Sequence, residues 1–284
     1  MIDEVPSNLS MNVGSLLKQW AVPIVAILAL IQPWIVALYK KFFRQGSIDI
    51  YETDTIEVGF SGLGPTIGLY GTLCAMHRDQ FVRSVNLTVV RQKDSSTHQF
   101  GWGLFRSGKA SISSPSDITV ELPSGFMLMT KAPHRYNILF TDEQARNDIQ
   151  THAQDVRNAW SDKVLEAIGK QLIEMREELA PLAAEINRIL EALFDNFSKE
   201  GTFSEAFSAI DRIFYWEPGE YTLSIDVTTA RPDHLYSRSW TFELSKQDSE
   251  KIRSNVIMIL FAACDRDIGV FNFAYLPYKK ISLP

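Results

Sequence analysis

Between Trp20 and Tyr39 the chain runs for twenty residues, WAVPIVAILALIQPWIVALY, without a charged side chain, and Lys40, Lys41 and Arg44 follow at once. A helix rises 1.5 Å per residue and a bilayer core is about 30 Å thick, so roughly 20 apolar residues are long enough to cross it. The run predicts a membrane helix over 20–39, preceded by a short tail (1–19) and followed by a basic linker (40–46). Trp20, Trp34 and Tyr39 lie near its ends, where amphipathic rings favour headgroup level, and the cations lie only on the C-terminal side. The positive-inside rule then predicts a single pass through a bacterial-type inner membrane with the body in the cytosol. A cleaved signal peptide fits poorly, because the leading residues carry Asp3 and Glu4 and the run ends in bulky Leu38 and Tyr39. Pro23 and Pro33 each remove a backbone donor, and the second predicts a kink.

Charge narrows the partners of the body. The first 45 residues take four of the 28 basic and two of the 34 acidic side chains, leaving 24 against 32. An acidic body does not collect phosphates, so nucleic acid is not expected as a partner. Two cysteines, Cys74 and Cys264, are far apart and set in apolar surroundings. They read as buried thiols in a reducing compartment.

From Ser47 to Phe140 short runs rich in β-branched and aromatic residues alternate with Gly, Pro, Asp and Ser clusters. In Phe81–Arg91 the set Val82, Val85, Leu87, Val89 keeps a period of two apart from one slip near Ser84. After Phe140 the period lengthens. Thr141, with Gln144 three residues on, marks a helix cap. A stripe then runs through Val164, Ile168, Leu172, Met175, Leu179, Leu182, Ile186, Ile189, Leu193 and Phe197 in steps of three or four. Pro181 interrupts it in phase, predicting one kinked helix or a hairpin of two. The stripe packs either on its own domain or on a second copy. A third helical piece is predicted over about Thr202–Tyr215. Strand patterns return at Tyr221–Thr229, Ser237–Leu244 and Gly269–Tyr275, with a buried helix or core strand at Val256–Cys264. Strands on both sides of a helical block predict one β domain, 47–284, with an insertion over about 141–215.

The segment Trp216-Glu-Pro-Gly-Glu-Tyr221, leading into Thr-Leu-Ser-Ile-Asp-Val227, resembles the turn-then-strand of immunoglobulin-like and fibronectin-type sandwiches. The resemblance implies that Tyr221 bonds back to upstream backbone, and that Ile67–Leu73 and Phe81–Val90 are central paired strands. The expected fold class is therefore α+β: an N-terminal transmembrane helix, then an antiparallel Ig-like β-sandwich with a coiled-coil-like insertion.

Chemistry is sparse. His77, His98, His134, His152 and His234 show no metal-ligand spacing. The stretch Phe60-Ser-Gly-Leu-Gly-Pro-Thr-Ile-Gly68 lacks both dinucleotide and P-loop spacings, and no GxSxG elbow occurs. No catalytic, cofactor or metal residue is nominated and no cofactor is expected. The leading expectation is a non-enzymatic, membrane-anchored interaction, sensing or scaffold module that meets the bilayer and a protein partner or a second copy of itself. The alternatives are an oligomerising effector that perturbs the bilayer in a defence or stress response, an enzyme with a site assembled from distant loops, and an extracytoplasmic adhesion-type module.

Overall fold

The computed structural model describes residues 13–42, 46–107, 119–130, 132–174, 179–230 and 233–280; within these, the side chains of residues 13–22, 24, 26, 40–42, 52, 170–174, 179–185 and 280 lie outside the description. Helix α1 (Val13–Phe42) leads into β1 (Ser47–Glu52), β2 (Thr55–Ser61), β3 (Gly64–Met76), β4 (Gln80–Arg91), β5 (Thr97–Ser107), β6 (Thr119–Glu121), β7 (Phe126–Leu128) and β8 (His134–Thr141). The helices α2 (Glu143–Glu174), α3 (Leu179–Phe197) and α4 (Gly201–Ile213) follow. The chain then returns to strands with β9 (Gly219–Ala230) and β10 (Asp233–Leu244), passes through α5 (Lys246–Arg253) and α6 (Asn255–Ala263), and ends in β11 (Phe273–Lys280).

The strands do not divide into two sheets. They pair antiparallel in the order β5-β8-β3-β2-β11-β10-β9-β4, and β4 pairs back to β5, closing eight strands into a barrel. A sandwich has two sheets with open edges; here the β4–β5 hairpin (Asn86 opposite Gly101) and the β5–β8 ladder (Phe105 opposite Ile138) leave the wall no edge. The Ig-like reading is thereby overturned. Strands β1, β6 and β7 extend the wall by pairing with β3, β5 and β4.

Period-two alternation fills the lumen. Ile56, Val58 and Phe60 of β2, Val85, Leu87 and Val89 of β4, Tyr221, Leu223 and Ile225 of β9, and Trp240 and Phe242 of β10 are all buried. The slip near Ser84 is a shift in the β4–β9 register between Val82 and Ser84.

The two ends of the barrel differ. The α1 end carries the β3–β4 turn and the start of β1, and the opposite end carries the helices. Helices α2, α4 and α6 pack on one another, α6 also on β2 and α5 on β11. Two buried side chains fasten this lid. Trp216 Nε1 donates to the Gly59 carbonyl at 2.9 Å. Asn255 Nδ2 donates to the Phe60 carbonyl at 2.8 Å and the Asn272 carbonyl at 2.7 Å, while its Oδ1 accepts from Asn272 N at 2.9 Å. The β2–β11 ladder stops at Gly59 opposite Phe273, and the Asn255 amide bridges the next two residues, Phe60 and Asn272, where that ladder ends.

The helical block consists of separate helices. Pro181 falls in the first turn of α3, where a missing N–H costs little, and Phe194 and Phe197 of α3 pack back on Trp160 of α2, so the two are separate helices. The cap of α2 is Asp142 rather than Thr141: its carboxylate accepts from Ala145 N at 3.1 Å, while Thr141 ends β8. The last strand lies later than expected, because Gly269 adopts φ +64° and the Asp267 carboxylate accepts from its N–H, holding 264–272 as a loop.

Candidate functional site

Helix α1 contains Pro23 and Pro33 without a break in its assignment. Among the described residues, no helix is long and apolar enough to cross a membrane, which overturns the reading of 20–39 as a transmembrane helix. What α1 does show is unusual exposure. Of the 22 exposed large hydrophobic residues among those described, ten lie between Val25 and Tyr39, with Leu30 and Trp34 each 73% exposed. Pro23 and Pro33 are also exposed. The side chains of Trp20, Lys40 and Lys41, and residue Arg44 altogether, lie outside the described residues.

The other expected sites are scattered. Of the stripe, Leu172, Met175, Leu179 and Leu182 lie outside the described side chains; Ile186, Ile189 and Leu193 are half-buried on α3. Phe197 is fully buried and meets Trp160 of α2 at a ring separation of 5.5 Å, so the described part of the stripe packs within its own domain. Tyr221 donates from its hydroxyl to the Glu217 carbonyl at 2.6 Å, inside a barrel rather than at a sandwich corner, and burial pushes its pKa up to about 12. Cys74 and Cys264 are free thiols.

An outer-wall cluster escaped the sequence reading. On β2, Glu57 alternates with inward Ile56 and Val58, the pattern of a solvent-facing residue, yet it is 3% exposed. Arg106 of β5 reaches across β8 and β3 to cover it. Its Nη1 donates to Oε1 at 3.0 Å and its Nη2 to Oε2 at 3.3 Å, while Nε donates to Asn137 Oδ1 at 3.0 Å. The Tyr70 hydroxyl also donates to Oε2, and burial, then this bond to a carboxylate, raises its pKa. Gly68 makes room, since a Cβ there would lie 2.6 Å from Arg106 Nη2. Both carboxylate oxygens and all three guanidinium nitrogens are engaged, so the cluster clamps four strands.

A polar cleft of about 820 Å³ lies outside the barrel, between Thr88, Gln99 and Trp102 on the wall and Asp142, Glu143 and Arg146 at the start of α2. Asp142 is spent as a cap, and Arg146 pairs with Glu143 at 3.4 Å. Nearby, His98 stacks on Tyr215 with centroids 3.6 Å apart. Burial lowers the His98 pKa and raises that of Tyr215. Burial thus disfavours the charged imidazole of His98, and its packing on Tyr215 accounts for its position. Among the described residues, no group of three or more His, Cys, Asp or Glu is placed to hold a metal ion.

No protein-family description fits the chain, and neither a curated protein nor a solved structure matches it.

Proposed function

We propose that this protein is a non-catalytic interaction module attached to a lipid bilayer through α1, its barrel serving as a rigid platform that holds the helical lid away from the lipid for a protein partner. The observation that carries this reading is the row of exposed apolar side chains on α1. Burying one Leu, Ile or Trp side chain contributes about 1.5–3 kcal/mol, so transferring several outweighs the immobilisation of the chain at a surface. The opposed positions of α1 and the lid on the barrel supply the polarity of such a platform. The free thiols suit a body on the reducing, cytosolic side of a bacterial inner membrane.

Flotation on phospholipid vesicles tests it. The full chain is expected to rise with the vesicles, and a Leu30→Lys/Trp34→Lys variant, altered only at exposed positions, to stay at the bottom of the gradient. Equal distribution of the two overturns the reading.

A further inference from the structure

We propose that the barrel rim at the α1 end, around Phe81, Met127 and Met129, is itself a lipid-contacting surface that rests on a bilayer bearing anionic headgroups. This deepens the attachment reading above and rests on it.

Three observations converge. First, the linker is short. Helix α1 ends at Phe42 and β1 begins at Ser47, so even a fully extended connection spans roughly 17 Å. An apolar helix lying in the interface sits within about 5–10 Å of the headgroup boundary, so an α1 held there keeps the start of β1 close to the surface. The start of β1 lies at the rim: Gly46 abuts Gln80, and a Cβ on it would lie 3.3 Å from the Arg78 Cβ.

Second, this rim exposes apolar side chains that the alternation of the wall does not require. Phe81 and Met127 are direct partners in the β4–β7 ladder, and both point outward. Met129 follows at 59% exposed, and Met76 ends β3 beside the same turn. Flexible thioethers and an aromatic ring suit the irregular boundary between headgroups and acyl chains.

Third, the charge fits. Arg78 and Arg83 are exposed at this rim and outnumber the one carboxylate between them, Asp79, which is held toward Thr130 by bonds from Thr130 N at 2.8 Å and Thr130 Oγ1 at 3.1 Å. Although the body as a whole is acidic, the part nearest α1 offers guanidinium groups to anionic phosphates.

The rim methionines are built-in probes. The full chain, free and bound to vesicles of phosphatidylcholine with a third phosphatidylglycerol, is treated with chloramine-T, which stays in water, and sulfoxide is read peptide by peptide by mass spectrometry. Met127 and Met129 are expected to oxidise several-fold more slowly in the bound chain, with Met258 on α6 at the far end unchanged. If the chain floats while Met127 and Met129 oxidise at their free rate, the rim contact is refuted and attachment through α1 stands. A chain that does not float removes the attachment reading and the rim contact with it. Equal protection on pure phosphatidylcholine refutes the part assigned to Arg78 and Arg83.

Discussion

Replacing Asn255 by leucine keeps the branched side-chain shape at the lid, with somewhat more bulk, and deletes one buried and two part-buried hydrogen bonds at one position. Asn255 is 0% exposed, and its partners are the Phe60 and Asn272 carbonyls and the Asn272 N–H. Each such bond contributes about 1 kcal/mol net, and a buried group left unpaired costs about 1–3 kcal/mol. The Phe60 carbonyl is the partner with least recourse, since its bond to Asn255 is buried and the β2–β11 ladder ends one residue before it. Asn272 lies nearer the surface, where water replaces part of what is lost. The expected loss is therefore about 3 kcal/mol, which for a body of this size lowers Tm by roughly 6–12 °C. Circular dichroism melts of the full chain measure it, with Lys246→Ala, at an exposed i,i+4 ion pair, as a control expected to shift Tm little. An Asn255→Leu melt indistinguishable from that control refutes the argument that Asn255 fastens the lid to β2.

Two further outcomes follow from buried polar groups. Arg106→Met strands Glu57 at 3% exposure and should cost about 3–5 kcal/mol in urea unfolding, with much of the loss recovered in Arg106→Met/Glu57→Gln; no recovery in the double variant contradicts the clamp. On the alkaline side, burial raises Tyr70, Tyr215 and Tyr221 above the usual tyrosine range and pushes Cys264 up to about 12. The unfolded chain therefore ionises first, near pH 9–10, so the stability these groups contribute is complete below that range and lost as pH rises toward 12. Tyrosinate absorbance beyond what the exposed Tyr39, Tyr51 and Tyr275 account for should appear together with the near-UV dichroism change; complete tyrosine ionisation near pH 10 with the fold intact contradicts the assigned burial.

The strand runs, the third helix and the slip near Ser84 were legible because each is written in local periodicity. Phe203 and Ile210 are buried on one face of α4, as a 3.6-residue period requires. Closure of the barrel was not legible, since a strand in a barrel and a strand in a sandwich alternate identically. What separates them is the pairing of β5 with both β4 and β8, a relation between distant segments. Glu57 was missed for the same reason. Its position on β2 faces outward, and only the reach of Arg106 over Gly68, from 49 residues away, turns that position into an interior. At α1, apolar composition pointed toward lipid, while among the described residues no helix is long and apolar enough to cross a membrane.

The way β1 joins the wall has a mechanical consequence. The chain enters at Ser47, opposite Met76, and its six residues run antiparallel along β3 to Glu52, opposite Gly71. Tension applied through the N-terminal helix along the barrel axis therefore loads that ladder in shear, so its bonds share the force and yield together instead of peeling one at a time.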